Sequence, residues 1–311
     1  MPQATFISWN IQNFSSNKAK ADFYEVITQV TYMLNADFTG LMEIQSNCGD
    51  AIGEQITGRL PWQNNVPLYV YQDTDRYTRF SDQHLAYWNT QTMGSTAIQY
   101  NDFTDANGNP LEFPNDSYRP PMMISMTVSG MPLNIVLYHA PGPGDTPNVY
   151  LGTQNIAQIP AVQTCANGVV MGDFNVSPNN PATSPNAANT FNPLLNLQYN
   201  QLTVGLATTL VGSVTNPNAT YNDCVNSQYD NFFYKNTQAG VQLTAEVIDM
   251  FAPCIQGNQS YYANYDILLR TWVAKKQGWV GQVNPIYNYQ DAFNAYSAVS
   301  NHLPIKLTVA W

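Results

Sequence analysis

A short apolar run that ends in Gly-Asp-Phe-Asn constrains this chain more than any other feature. The run from Val169 to Met171 is typical of a buried strand, and Gly172 allows the backbone to bend where that strand ends. Asp173 and Asn175 are two residues apart, so they share a face if the backbone stays extended. A carboxylate and an amide at the exit of a buried strand suit the binding of a phosphate group and of the water that attacks it.

The charge composition excludes one class of function. Only 10% of the 311 residues are charged, and 11 Lys and Arg stand against 21 Asp and Glu for a net charge of −10. Tight, sequence-specific DNA binding normally needs a basic stripe, because phosphate neutralisation supplies much of the affinity. A hydrolase that contacts its substrate briefly, with a divalent cation to offset repulsion, stays compatible. No apolar run approaches the roughly 18 residues of a membrane span.

Strand-like and helix-like segments alternate along the chain. Apolar residues at three- and four-residue spacing from Phe23 to Leu34 predict a helix, and 149–165 is predicted to be mostly helical. The segment 177–189 is rich in Pro and Asn and predicts a long surface loop. Strands are predicted at 4–11, 38–43, 68–71, 85–88, 96–100, 123–128, 133–138, 169–171, 228–234 and 303–309. Without a repeat or a linker, residues 1–311 are expected to form one domain with sheets inside and helices outside.

Polar residues recur at the predicted ends of these strands. A carboxylate such as that of Glu43 is the ligand that a hard cation such as Mg²⁺ prefers. Two of the three histidines, His139 and His302, lie at strand ends, whereas His84 is expected on a strand face. The residues at strand ends are Asn10, Glu43, His139, Asp173, Asn175, Asp230, Asn301 and His302.

In this order, the motifs resemble those of the endonuclease/exonuclease/phosphatase superfamily, the group that includes deoxyribonuclease I. The resemblance extends from Thr5 to Val309 and rests on several short motifs. It implies an α+β fold, a four-layer αββα sandwich in which two packed mixed β-sheets are flanked by helices. It also implies a metal-dependent phosphodiester hydrolase with Mg²⁺ or Mn²⁺ as its cofactor.

The resemblance also implies roles for the metal and water ligands. Glu43 is implied to bind the metal, with Asn10 beside it and Asn301 helping to place it. Asp173 is implied to orient and deprotonate the attacking water. Asn175 is implied to position the phosphate.

Two histidines are implied to stabilise the charge that develops on the phosphate, and each is paired with an acid. His139 is implied to be held by Asp82, which lies in the segment Phe80-Ser81-Asp82-Gln83-His84. His302 is implied to be held by Asp230. An acid beside an imidazole fixes the tautomer and favours the charged form.

The choice of substrate rests on two residues that the resemblance implies to bind it. Phe80 falls where deoxyribonuclease I places an aromatic ring against DNA, and Arg119 offers a guanidinium that can bind phosphate in a bidentate manner. A structural ion pair is the alternative for Arg119. Together they favour a nuclease of low sequence specificity that acts on DNA. Gln45 argues against it, because deoxyribonuclease I carries a DNA-contacting arginine at the matching position.

Two alternatives stay open. A lipid or small-molecule phosphodiesterase or phosphatase would carry an exposed aromatic loop, for which Trp279, Tyr287 and Tyr289 are candidates. A catalytically impaired binding homologue is suggested by Asn301, since the family motif is Ser-Asp-His and this chain has Ser-Asn-His. Loss of that carboxylate is predicted to lower metal affinity.

The cysteines bear on the compartment. Their spacing fits no metal site, a bridge between Cys224 and Cys254 would fit a secreted protein, and buried free thiols are the alternative. The polar, lysine-poor surface favours secretion over the cytoplasm, although the first residues show no signal-like region. The protein is expected to be a monomer whose nucleic-acid partner binds weakly and without sequence preference. The four cysteines are Cys48, Cys165, Cys224 and Cys254.

Overall fold

A computed structural model describes most of the chain. Five residues discussed above, Cys48, Phe80, Asp82, Arg119 and Trp279, lie outside the described residues. The described ranges are 2–14, 21–45, 69–70, 83–100, 103–113, 120–143, 148–177, 187–203, 205–255 and 286–311.

The described residues form twelve β-strands and six α-helices. The strands are β1 (Gln3–Phe14), β2 (Phe38–Ile44), β3 (Tyr69–Val70), β4 (Gln83–Trp88), β5 (Met93–Tyr100), β6 (Met122–Val128), β7 (Met131–His139), β8 (Asn167–Asp173), β9 (Asn200–Gln201), β10 (Asp230–Asn236), β11 (Gln242–Val247) and β12 (Ile305–Ala310). The helices are α1 (Ala21–Met33), α2 (Asn148–Ile156), α3 (Pro160–Thr164), α4 (Ala187–Asn196), α5 (Tyr221–Cys224) and α6 (Tyr289–Tyr296).

The strands form two sheets of six. The first sheet has the order β11-β12-β1-β2-β4-β3, and the second has the order β5-β6-β7-β8-β10-β9. Both sheets are mixed, because β1 pairs with β2 and β7 pairs with β8 in parallel, while the other described pairs are antiparallel. The parallel pairs lie near the centre of each sheet.

Alternation along the strands sorts apolar side chains into separate layers. Phe6 and Phe38 of the first sheet share one buried cluster with Leu137 and Met171 of the second, so this cluster lies between the sheets. The opposite face of the first sheet packs against α1 and α6, and that of the second packs against α2, α3 and α4. The predicted four-layer αββα sandwich is confirmed. Among the described residues, no helix is long and apolar enough to cross a membrane.

A glycine on β2 allows the two sheets to approach closely. A Cβ atom at Gly40 would lie 2.8 Å from the terminal methyl groups of both Leu137 and Met171. Contacts that short do not occur between real carbon atoms, so a larger residue here would require those two side chains to move.

The predicted strands 123–128 and 133–138 form a hairpin, and its turn is shorter than the gap between those predicted bounds. Ser129 and Gly130 both have positive φ, at 50° and 83°, as a two-residue type I′ turn requires. Met131 and Pro132 therefore belong to β7.

The structure corrects the bounds of one predicted loop and decides between the two alternatives left open for Cys224 and Cys254. The predicted loop 177–189 is cut short because α4 begins at Ala187, and its apolar Leu194 is buried against the second sheet. Cys224 and Cys254 are not bridged, since both are free thiols. Each thiol donates instead to a backbone carbonyl four residues earlier.

Candidate active site

On four strands, every second side chain faces the space between the sheets, and at one end of the sandwich these side chains are polar. On β7 and β8 the odd-numbered residues face inward, and the last of them are His139 and Asp173. On the antiparallel β10 the first such residue is Asp230, and on β1 the even-numbered residues face inward and include Asn10. All four side chains are buried between the sheets, so the layer that is apolar in the middle becomes polar at this end.

The strand register places three of these residues side by side. His139 on β7 pairs with Asp173 on β8, and Asp173 pairs with Asp230 on β10. Asn10 reaches this row from the first sheet. The site is therefore built across both sheets.

The carboxylate of Asp173 is the centre of the cluster, and it is 1% exposed. Its Oδ2 lies 3.0 Å from Asn10 Nδ2, 3.5 Å from His302 Nε2 and 3.6 Å from His139 Nε2. Its Oδ1 accepts the backbone N–H of Asn175 at 2.9 Å. Burial raises the pKa of Asp173 to about 6, although the nearby His302 partly opposes this rise.

His302 and Asp230 form a closed pair next to Asp173. The His302 Nδ1 lies 2.8 Å from Asp230 Oδ2, and both side chains are buried. Burial alone would lower the pKa of His302, but the carboxylates of Asp230 and Asp173 outweigh it and raise the pKa to about 9. The imidazole is therefore held as a cation at neutral pH.

Glu43 is the more open carboxylate, with 16% of its side chain exposed. Its Oε1 accepts a hydrogen bond from Asn10 Nδ2 at 2.8 Å, and its Oε2 accepts the backbone N–H of Asn13 at 2.8 Å. His139 Nε2 lies 3.8 Å from Oε1. Glu43 has a φ of 61°, a strained conformation for a non-glycine residue that places its side chain outside the strand alternation.

Asn175 reaches the site through a turn that was not predicted. Its φ of 51° ends the extended geometry, so Asn175 and Asp173 do not simply share a strand face. The Asn175 Nδ2 donates to the Ala140 carbonyl at 3.0 Å, which fixes the side chain beside β7. The preceding Gly172 has a φ of 147°, and a Cβ there would overlap the Tyr138 carbonyl, so glycine is required.

Residues outside the predicted set hold the His302 segment in place. The Ser300 hydroxyl donates to the Asn10 carbonyl at 2.6 Å and accepts the His302 N–H at 2.9 Å. The Tyr296 hydroxyl donates to the His302 carbonyl at 2.7 Å. Ser300 belongs to the Ser-Asn-His motif, whereas no motif in the sequence marks Tyr296 for this role.

Thr208 supports the other member of the pair. Its hydroxyl accepts the backbone N–H groups of Tyr229 and Asp230, at 3.1 and 3.0 Å. No motif in the sequence marks Thr208, because the contact joins a loop to the start of β10.

The remaining predicted positions lie apart from the cluster. Asn301 is exposed, and its backbone carbonyl accepts the N–H of Leu210 at 2.8 Å. His84 is buried on β4, as expected for a strand face. Of the proposed aromatic loop, Tyr287 is 64% exposed, whereas Tyr289 is half-buried in α6 with its hydroxyl 3.3 Å from Asp249 Oδ2.

The donor set fits a hard cation at Glu43 better than at His302. Asp173, Asp230 and His302 offer atoms that lie within 4.8 Å of one another. Both His302 nitrogens face carboxylates, however, and a protonated imidazole has no lone pair for a metal. Among the described residues, the Glu43 oxygens accept neutral N–H groups from Asn10 and Asn13, and His139 lies 3.8 Å away, so this carboxylate can serve as an oxygen ligand to a cation.

The four layers, and a polar cluster at one end of the two sheets, define the fold of the endonuclease/exonuclease/phosphatase superfamily, the deoxyribonuclease I-like fold. Similar solved structures include an endonuclease/exonuclease/phosphatase family protein from Bacteroides thetaiotaomicron, with 13% identity over 99% of this chain and 98% of that chain, at a TM-score of 0.62. A mannosyl-6-phosphatase from the same organism has 13% identity over 99% and 100% of the two chains, at a TM-score of 0.60.

A third similar structure is TDP2 from D. rerio in complex with a single-strand DNA product. It has 12% identity over 99% of each chain, at a TM-score of 0.59. No protein-family model and no curated protein matches the sequence. At these identities the structural likeness establishes the fold.

Proposed function

We propose that this protein is a metal-dependent phosphoester hydrolase. The observation that carries the proposal is the convergence of three nitrogen groups, from Asn10, His139 and His302, on one oxygen of the buried Asp173. A carboxylate held among such donors, beside a cationic imidazole, suits a reaction that moves a proton from water while charge builds on phosphate.

Asp173 is the proposed general base. Its raised pKa, about 6, lies close enough to neutrality for it to accept a proton from the attacking water while it remains mostly ionised. The Asn10 amide and the Asn175 N–H hold its two oxygens in place. Asn175 is proposed to position the phosphate.

His302 and His139 are the proposed charge stabilisers. Asp230 keeps His302 protonated and fixes its orientation, so the His302 Nε2–H points towards Asp173 and the space where a phosphoryl group would lie. His139 approaches the same region from β7. Groups of this kind act through preorganised electrostatics, because they need no rearrangement as charge develops.

Glu43, with Asn10 beside it, is proposed to hold Mg²⁺ or Mn²⁺, and Asn301 is proposed to contribute at the rim. The Glu43 carboxylate is an oxygen ligand of the kind that hard cations prefer, and the Asn10 Nδ2 holds its Oε1 in place at 2.8 Å. When bound, such a cation would act as a Lewis acid on a phosphoryl oxygen.

The substrate proposed first is DNA, cut without strong sequence preference. Support comes from TDP2 in complex with a single-strand DNA product, a protein of the same fold. The whole chain carries only 11 Lys and Arg against 21 Asp and Glu, so few cationic groups are present to contact phosphates. Binding to DNA should therefore be weak and should depend only shallowly on salt. Phe80 and Arg119 remain proposed substrate contacts, and Asp82 a proposed partner of His139.

Plasmid nicking and hydrolysis of bis(p-nitrophenyl) phosphate test this proposal. Both activities should require Mg²⁺ or Mn²⁺, stop in EDTA and return when the metal is restored. Glu43→Ala should abolish the return at ordinary metal concentrations. Glu246→Ala is the matched control, because that carboxylate is exposed on the surface and should leave both activities unchanged.

Three outcomes would change the proposal. Full activity in excess chelator would remove the metal. Hydrolysis of the small diester without plasmid nicking would retain the hydrolase and remove DNA. Rapid turnover of sphingomyelin or a phosphoinositide without nicking would favour the lipid alternative.

A further inference from the structure

A small cavity of about 170 Å³ lies beside the candidate active site. Its wall is formed by Ser177 from the segment after β8, by 205–207, and by 226–228 from the segment before β10. Pockets that enclose whole drug-sized ligands are larger, about 300 Å³ or more. This cavity therefore suits a single small ring rather than a lipid chain or a complete nucleotide.

The cavity is within reach of a phosphate bound at the cluster. Gln228 lies two residues before Asp230, and Ser177 lies two residues after Asn175. An extended chain rises about 3.3 Å per residue, so the backbone of the cavity wall begins within about 7 Å of Asp230 and of Asn175. The cavity therefore lies about the width of one sugar ring from residues of the cluster.

The cavity wall is held by its own hydrogen bonds. Gly205 N–H donates to Gln228 Oε1 at 2.9 Å, and Gln228 Nε2 donates to the Thr203 carbonyl. The Ser227 carbonyl accepts the N–H groups of Thr208 and Thr209, at 2.8 and 3.0 Å. Because Thr208 also binds the backbone of Asp230, the wall and the reactive cluster share one support.

The chemistry of the lining limits what can bind. Ser177, Asn226 and Ser227 bring hydroxyl and amide groups, and the partly exposed Leu206 brings an aliphatic surface. None of the described residues that line the cavity is charged or aromatic. An ionic group would therefore find no opposite charge among these residues, and a nucleobase would find no ring to stack on.

We propose that this cavity is a subsite for the uncharged, hydroxylated ring of the alcohol that is esterified to the phosphate. Hydroxyl and amide groups can pair with the ring hydroxyls, while Leu206 covers the C–H face of the ring. The inference rests on the proposed function and names its substrate class as sugar-phosphate esters. The ring can be a free hexose or the ribose of a free nucleotide; a sugar inside a DNA strand has no free hydroxyl, so this subsite would favour small esters over DNA.

A pair of matched tryptophan substitutions tests the subsite. Leu206→Trp fills the cavity from its rim, and Leu195→Trp adds the same bulk on α4, at a leucine with the same exposed fraction, 38%. Release of inorganic phosphate from glucose 6-phosphate, ribose 5-phosphate and ethyl phosphate is measured with Mg²⁺ for wild type and both variants. Ethyl phosphate has no ring and reports on the reactive cluster alone.

The expected result is selective. Leu206→Trp should reduce kcat/KM for the preferred sugar phosphate at least about tenfold more than for ethyl phosphate, a difference of about 1.4 kcal/mol. Leu195→Trp should behave as wild type. A preference for glucose 6-phosphate or for ribose 5-phosphate shows whether the subsite takes a hexose or a pentose. Equal losses for ring-containing and ring-free esters, or equal behaviour of the two variants, would overturn the subsite while leaving the hydrolase in place.

A binding measurement separates failure of the subsite from failure of the proposed function. Saturation-transfer NMR with methyl glucoside and methyl riboside needs neither metal nor turnover. If no ester is hydrolysed but a glycoside binds wild type and Leu195→Trp and not Leu206→Trp, the hydrolase proposal fails and the subsite stands. Absence of binding by both glycosides, with no ring preference in hydrolysis, would refute the subsite.

Discussion

The two halves of the candidate site differ in how their charged side chains are compensated. In one half, Asp230 and His302 neutralise each other at 2.8 Å, with the Asp230 side chain fully buried and that of His302 only 6% exposed. In the other half, Glu43 stays 16% exposed and receives neutral N–H donors from Asn10 and Asn13. The first half carries its own counter-charge, and the second is where the proposed cation would bind.

This difference follows from how the two sheets end. The closed half forms where β10 begins and the segment before β12 folds over it, so both members are buried by packing. The open half forms where β1 and β2 become irregular, since the register shifts between Asn10 and Phe14 and Glu43 has positive φ. Asp173 lies between the halves and receives a hydrogen bond from Asn10 and the field of His302.

Asp173→Asn should have the largest effect on activity, because it removes the group that links the two halves. We expect kcat to fall about 10³-fold or more, since a positioned base contributes of order 10²–10⁴ and the amide cannot accept the proton. The folded state should persist, because a carboxylate whose pKa is raised by burial is replaced by a neutral group of the same shape. Kinetics at saturating metal and chemical denaturation measure the two effects. Retention of near-normal kcat would eliminate Asp173 as the base.

Replacement of His139 or of His302 should lower kcat much more than replacement of His84. His139→Ala and His302→Ala should each lower kcat about 100-fold at saturating metal, because each removes a group that faces the reacting phosphate. His84→Ala is the comparison, since His84 is also buried but lies on β4, and circular dichroism checks that each variant is folded. Equal damage from His84→Ala together with a harmless His139→Ala would reverse the assignment.

Periodicity explains how much of this architecture could be predicted. The apolar spacing of α1 and the short runs of β1, β2, β7 and β8 identify the elements, because layer burial imposes periods of 3.6 and 2 on the sequence. The polar residues that end those runs, such as Asp173 and His139, could therefore be assigned to one end of the sandwich. Strand β11 was missed because it lies at a sheet edge, where polar and apolar residues alternate without a strong run.

The geometry of the site could not be predicted in the same way. The positive φ of Glu43 has no signature in residue type, because surrounding contacts impose it. Asparagine is enriched at positive φ, but in a chain rich in Asn this preference does not single out Asn175. Thr208 and Tyr296 act through contacts between segments distant in sequence, with Tyr296 bonded to the backbone of His302. Local patterns carry no information about such contacts.

The closed half predicts a pH dependence of stability in metal-free protein. The pKa of His302, about 9 when folded, lies above its ordinary value of 6.5, so the charged pair stabilises the fold fully below pH 6.5. That contribution is lost as the pH rises through about 9. In EDTA, the free energy of unfolding of wild type should fall towards that of His302→Gln between pH 6.5 and 9.5. A constant difference between the two proteins across this range would show that His302 is not held as a cation.

The smallest effect is expected at the rim of the open half. Asn301 is exposed, so Asn301→Asp adds a carboxylate at little desolvation cost and should not disturb folding. In the proposed role of Asn301 at the rim, an added negative charge would strengthen the field that holds a cation, while the carbonyl of the present Asn would already coordinate the cation or a bound water. The change should therefore lower the Mg²⁺ concentration needed for half-maximal activity several-fold, by about 1 kcal/mol or less at an exposed position, and should alter kcat at saturating metal less.

Metal titrations of wild type, Asn301→Asp and Asn294→Asp measure this effect. Asn294 is an exposed residue of α6, so its variant adds the same charge away from the cluster and should leave the titration unchanged. Activity that rises by the same factor at every metal concentration would instead identify Asn301 as a catalytic impairment and support the binding-homologue alternative. Superimposable curves for all three proteins would mean that position 301 does not sense the metal. The open half would then consist of Glu43 and Asn10 alone, and the cation would be held without help from the segment that carries His302.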